Sequence, residues 1–306
     1  MTKRYPQNIM MSCETPWDEN YQFMEPVFRK QVRSVIDKGF NHIYIFGTAG
    51  EGYAVTNQQF KEVVSVFRDE TNDPDISPNI CIIAMSTHQA IERIEIAHKE
   101  GFRIFQITLP SWGVLNDEEY IKYISEVCNQ FPDSKFFHYN LPRAKRVLLG
   151  PEYKILEESI PNLVGTKNLR TEILDIHSIA THTKELQHFW GEYAFPLGCI
   201  YGESSLLSSF GSLLPTKTKE FFELGKTKNF EKLFPLLKEM INMQLLFEQT
   251  GLEKPEVIDG AWDKMIVRAS GIDMPLRLLP PYKGFDEETF DTTVQLLKKH
   301  YPDWLE

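Results

Sequence analysis

Short apolar runs alternate with helically spaced apolar positions along the first two thirds of the chain. Asn8-Ile-Met-Met-Ser-Cys13 reads as a strand, and Thr15-Pro16 stops it where a βα loop should begin. Phe28, Val32, Val35 and Ile36 then recur at helical spacing up to Gly39. A second strand, Ile43-Tyr-Ile-Phe46, ends in Gly47-Thr-Ala-Gly-Glu-Gly52, and a helix from Asn57 to Glu70 follows with Phe60, Val63, Val64 and Phe67 on one face. The alternation continues through strands at Ile80–Ala84, Ile104–Thr108, Lys135–Tyr139, Leu163–Lys167 and Leu186–Trp190, and an eighth is expected at Gly198–Tyr201. Helical patterns lie between most of them. From Lys217 onward only helical patterns remain: Phe221–Gly225, Phe230–Thr250, Ala261–Ser270 and Glu287–His300, with a break at Gly251–Pro255.

Eight strands, most followed by a helix, predict an α/β chain: a (β/α)8 barrel over residues 1–216 that carries the active site, and a C-terminal helical domain over 217–306. A doubly wound open sheet has the same periodicity. Two features favour the barrel. No strand-to-helix GxGxxG is present, and eight is the closing number.

Composition narrows the partners. The chain has 306 residues and a net charge of -10, with no basic stripe to offset it, so nucleic acid is not an expected partner. Mean hydropathy is -0.32, and no apolar run approaches the ~18 residues of a membrane span. A cytoplasmic protein without membrane contact is expected. Cys13, Cys81, Cys128 and Cys199 have no CxxC spacing and read as buried thiols, and the eight histidines show no metal signature.

The chemistry gathers at two strand ends. Tyr139 closes the fifth strand and Lys167 the sixth, which places a phenol and an amine on neighbouring strands at the mouth where barrel active sites sit. An amine in a partly apolar mouth has a lowered pKa and can attack a ketone to form an imine. Tyr139 would move the protons; His138, by alternation, faces the other way. The glycine-rich turn after the second strand lets the backbone approach a ligand, so Thr48, Ala49 and Gly50 are candidates to hold a carboxylate. Trp112, after the fourth strand, and Tyr201, at the end of the expected eighth, are candidates to line the rest of the pocket.

Together these motifs resemble the dihydrodipicolinate synthase and N-acetylneuraminate lyase superfamily of class I, Schiff-base lyases, from Ser12-Cys-Glu-Thr-Pro16 to Arg277-Leu-Leu-Pro280. Gly47-Thr-Ala-Gly-Glu51 is similar to the family's pyruvate-carboxylate loop, Tyr139-Asn140 to its strand-five tyrosine, and Gly165-Thr-Lys167 to the GxK that carries the imine. The resemblance implies a 2-oxo acid bound covalently through Lys167, no other cofactor and no metal, with Thr48 and the Ala49 backbone on the carboxylate. It also implies a homo-oligomer, a tetramer or dimer.

Four departures argue against a lysine-biosynthetic synthase. Ala49 stands where the synthases usually have Thr, and Ala144 where an Arg binds the distal carboxylate, with Arg143 and Lys145 the neighbouring cations. Pro110-Ser-Trp112 replaces a Tyr-Tyr pair, and Asn168 replaces a Glu. Pro110-Ser-Trp112 and Pro280-Pro-Tyr282 look more like a hydratase-aldolase branch. Two alternatives stay open: an aldolase or dehydratase of 2-keto-3-deoxy sugar acids, with polar groups from Ser86, Thr87, Ser111 and the turn Gly202–Ser205, and a non-catalytic 2-oxo acid binder.

Overall fold

The computed structural model describes residues 2–249 and 257–304, the side chains of 247–249 excepted. The expected break at 251–255 lies outside the described residues. Eight parallel strands close into a barrel in chain order. They are β1 (Ile9–Ser12), β2 (His42–Ile45), β3 (Ser77–Ile82), β4 (Ile104–Ile107), β5 (Lys135–Asn140), β6 (Leu163–Asn168), β7 (Gln187–Gly191) and β8 (Ser205–Ser208). Outside them run α1 (Glu25–Asp37), α2 (Asn57–Glu70), α3 (Thr87–Lys99), α4 (Asp117–Gln130), α5 (Gly150–Ser159), α6 (Ile173–His182), α7 (Phe195–Tyr201) and α8 (Pro215–Lys226).

Local chemistry fixes the helix starts. Thr56 with Gln59, and Asn116 with Glu119, form reciprocal capping boxes that satisfy the first free N–H groups of α2 and α4. The apolar faces of these helices then cover the strands: Phe60, Val63, Val64 and Phe67 of α2 are all buried. Inside the barrel, Tyr5 plugs the N-terminal end, its ring edge-on to His42 and Phe137 at 5.4 and 4.8 Å. Gln106 reaches across the interior to the Met10 sulfur at 3.4 Å.

The expected eighth strand is corrected. Gly198–Tyr201 belongs to α7, and β8 is Ser205–Ser208. A Cβ at Gly198 would stand 2.5 Å from the Trp190 indole nitrogen, so the glycine lets α7 lie directly on β7. α8 starts at Pro215, across the expected boundary at 216/217, and follows β8 as the eighth outer helix.

Three further helices complete the described chain: α9 (Phe230–Gln249), α10 (Asp259–Ala269) and α11 (Glu287–His300). α10 crosses the C-terminal mouth of the barrel. A Cβ on its Gly260 would lie 2.9 Å from the carbonyl oxygen of Ala49, so helix and loop touch through backbone. Lys264, also on α10, forms a fully buried ion pair with Glu51 at 2.6 Å. No helix among the described residues is long and apolar enough to cross a membrane.

Candidate active site

β6 is buried along its whole length and delivers Lys167 to the mouth. Gly165 makes this possible, since a Cβ there would meet the Gln187 carbonyl oxygen at 2.3 Å and the Phe137 ring at 2.7 Å. The register sets Tyr139 of β5 beside Lys167, with Phe189 of β7 on the other side. The amine sits 3.9 Å from the centre of the Tyr139 ring and 4.0 Å from that of Tyr44. Lys167 is 2% exposed. Burial lowers its pKa to about 8, although Cys81, Asp263, Asp259 and Glu14 pull the other way. A sizeable fraction of the amine is therefore unprotonated near neutral pH. That is the form that attacks a carbonyl.

Burial raises the Tyr139 phenol, an effect only partly offset by Thr48, whose hydroxyl lies 3.3 Å from the Tyr139 oxygen. The phenol stays protonated and able to donate. Thr48 and Ala49 are buried in the turn after β2. Gly50 packs tightly, with a built Cβ 2.8 Å from the Phe46 nitrogen. Among the described residues, the N–H groups of Thr48, Ala49 and Gly50 donate to no protein acceptor, while those of Glu51 and Gly52 fold back on Thr48 and Gly47. Unpaired N–H groups in a turn are what an anion-binding nest is made of.

The loop is held in a strained shape. Phe46 and Glu51 both have left-handed backbones, at φ 64 and 59. Glu51 is locked by the Trp17 indole N–H at 2.9 Å, the Lys264 ammonium at 2.6 Å and the Leu279 N–H at 2.5 Å. Such a buried ion pair holds α10 on the glycine-rich loop.

The remaining expected residues fall elsewhere. Trp112 stands on the rim, 83% exposed, and its carbonyl accepts a hydrogen bond from Lys145 at 2.8 Å. Tyr201 is corrected: at the C-terminal end of α7 it lies at the opposite end of the barrel, beside Lys3, Thr183 and Glu203, with its ring edge-on to His177. An outer helix runs back along the strand before it, so its last residue faces away from the mouth. The turn Gly202–Ser205 is at that far end too. Arg143 is held by Asp259 through two bonds of 2.9 and 2.8 Å, and Ala144 is buried.

Tyr44, Glu14, Asp263 and Lys264 escape a reading of the sequence. Tyr44 sits in a strand buried on both faces, where alternation does not reveal which face is inward. Asp263 and Lys264 lie in a helical pattern, and a charged pair there ordinarily marks a solvated face. Burial pushes the carboxyls of both Glu14 and Asp263 upward, and for Asp263 the neighbouring Glu14 adds to it.

A closed parallel barrel with a buried lysine at its C-terminal mouth, beside a phenol and a glycine-rich loop, is the arrangement of barrel lyases of the aldolase type. The chain belongs to the dihydrodipicolinate synthetase family, whose model matches residues 5–300. Among its relatives, N-acetylneuraminate lyase of Mus musculus is 20% identical over 234 residues, covering 74% of this chain and 73% of the relative. The 4-hydroxy-tetrahydrodipicolinate synthase of Kosmotoga olearia is 23% identical over 226 residues, covering 70% and 76%. A crystal structure of YagE from E. coli K12, a prophage protein of the dihydrodipicolinic acid synthase family in complex with pyruvate, superposes with a TM-score of 0.85 at 17% identity over 96% of this chain and 98% of that one. Such low identities make this a divergent member.

Proposed function

We propose that the chain is a Schiff-base aldolase or lyase of a pyruvate-like 2-oxo acid, with Lys167 as nucleophile and Tyr139 as acid and base. The observation that carries this is the Lys167 amine itself, buried, with its pKa lowered to about 8 and placed against the Tyr139 and Tyr44 rings. The substrate carboxylate would sit on Thr48, Ala49 and Gly50, leaving its ketone carbon facing the amine. Attack forms a carbinolamine, which takes a proton and loses water to give the iminium. That cation accepts the electron pair of the breaking C3–C4 bond as the C4 hydroxyl becomes the carbonyl of the released aldehyde, and Tyr139, having given its own proton to the water that leaves the carbinolamine, takes the proton of that hydroxyl. Protonation of the enamine and hydrolysis then release pyruvate and free Lys167. The imine is the electron sink, so the scheme needs no further cofactor.

The test is borohydride reduction in the presence of pyruvate, read by intact mass and peptide mapping. A stable adduct on Lys167 is expected, none with Lys167→Ala, and turnover about 100-fold or more lower with Tyr139→Phe. Absence of an adduct with pyruvate and with other 2-oxo acids would overturn the proposal in favour of a non-catalytic binder. Self-association as a dimer or tetramer is also expected, and the exposed apolar side chains of Ile173 and Leu174 on α6 support it. Light scattering that gives the mass of a single chain would remove that expectation.

A further inference from the structure

Two ring faces, and no acid, stand against the Lys167 amine. Among the described residues it has neither a carboxylate partner nor a hydrogen-bond acceptor. Its nitrogen lies over the Tyr139 ring at 3.9 Å and over the Tyr44 ring at 4.0 Å. Tyr139 is on the neighbouring strand, whereas β2 lies across the barrel from β6, four strands away in the closed order. The lysine therefore spans the interior to meet Tyr44.

The Tyr44 ring is fixed in place. It is 4% exposed, and its register sets it between Ser12 of β1 and Asn79 of β3. At Gly47, just beyond β2, a Cβ would stand 2.8 Å from the Tyr44 Cε2 and 3.3 Å from the Lys167 nitrogen. A side chain there would have to displace the ring or the amine.

The face of an aromatic ring carries negative charge, and a cation held over it out of water gains enough to shift an equilibrium about 10-fold or more. A neutral amine gains far less, so the rings distinguish charge states. The acids whose charge reaches the amine are Asp263 and Asp259 of α10 and Glu14 after β1, none of which pairs with it, and the Cys81 thiol of β3.

We propose that Tyr44 is a further catalytic residue, whose ring face, with that of Tyr139, stabilises the positive charge that the Lys167 nitrogen acquires when it forms an imine. The inference rests on the reading of Lys167 as the imine-forming residue. It assigns to Tyr44 a role that its hydroxyl does not supply. The protonated imine is the form that draws the electron pair of the breaking bond, and the rings favour it over the neutral imine. A pH signature accompanies this role. Above about pH 8 the free amine is mostly neutral, so imine formation creates a cation and gains the full benefit of the rings. Well below that pH the amine is already charged, and the contribution cancels.

The experiment varies the charge on the ring face and holds its shape. Position 44 of the full chain carries phenylalanine, trifluorophenylalanine or pentafluorophenylalanine, because fluorine draws electron density from the face. Pyruvate titrations give the adduct constant by intact mass, after reduction with borohydride at about pH 9 or cyanoborohydride at about pH 6. At the higher pH we expect the adduct to be about 10-fold weaker with the pentafluoro ring than in Tyr44→Phe, with the trifluoro ring between them. At the lower pH the spread should shrink to about 2-fold. Lactate, a 2-hydroxy acid that cannot form an imine, should bind equally across the series by calorimetry. Equal pyruvate constants at the higher pH, or a loss that lactate shares, would overturn the proposal and leave Tyr44 a packing residue. Absence of any pyruvate adduct in the parent would instead sink the imine chemistry. The ring effect is then read on the amine itself, by competitive acetylation of Lys167 across pH. Its midpoint should fall by about half a pH unit or more from phenylalanine to pentafluorophenylalanine, and an unmoved midpoint would overturn the proposal too.

Discussion

Lys167 shows how burial changes the chemistry of an ordinary side chain. Its amine loses hydration on entering the mouth, and the carboxyls of Asp263, Asp259 and Glu14 restore only part of the preference for the charged form. Under the proposed mechanism the neutral amine is the nucleophile, so the initial rate of borohydride-trapped adduct formation should rise about 10-fold per pH unit below about 8 and level off above it. A profile still climbing at pH 10 would mean an amine at its ordinary value. Lys167, Tyr139 and the turn Thr48–Gly50 were readable in the sequence because each ends an apolar run, and a strand end is a local property. Tyr44 was not, since the face it shows the amine depends on which side of β2 turns inward. Tyr201 was misplaced for a related reason: Gly198–Tyr201 has a strand-like run of apolar residues but lies in a helix.

At the scale of elements, the site is a barrel mouth with α10 laid over it. The Glu51–Lys264 pair joins the two, both side chains fully buried and far apart in the chain. Removing one partner leaves the other charged in the interior, which costs far more than the pair contributes as a whole. Lys264→Met should therefore lower stability by ~3–5 kcal/mol in denaturant unfolding, and the double variant Glu51→Gln with Lys264→Met should recover part of it. If the single variant were as stable as the parent, the pair would not hold the roof. The helical pattern of α10 was visible in the sequence from its spacing. That it lies on the glycine-rich loop after β2 was not, because the contact is made by the bare backbone of Gly260 and leaves no side-chain signature.

For the molecule as a whole, the barrel holds buried polar groups whose protonation is linked to folding. His138 is buried, its ring nitrogen 2.7 Å from the Tyr153 hydroxyl, and burial pushes its pKa down to about 3. The folded value lies below the unfolded value of about 6.5, so the unfolded chain takes the proton first as pH falls. The contribution of His138 is thus complete above about pH 6.5 and declines by roughly 1.4 kcal/mol per pH unit below it. Glu14 and Asp263, with raised values, act in the opposite sense, so the prediction concerns a difference. His138→Asn should be less stable at pH 7 yet lose less stability than the parent between pH 6.5 and 5, and parallel melting curves would refute it. The sequence by itself determined the alternation of strands and helices through the seventh strand, the helix starts set by Thr56 and Asn116, and the strand ends that carry Tyr139 and Lys167. All of these follow from local spacing and capping. Only the tertiary structure decided that α7 and not a strand holds Tyr201, because a short apolar run alone does not distinguish a buried helix from a strand, and that α10 roofs the mouth, because that depends on partners far apart in the chain, as in the 213-residue separation of Glu51 and Lys264.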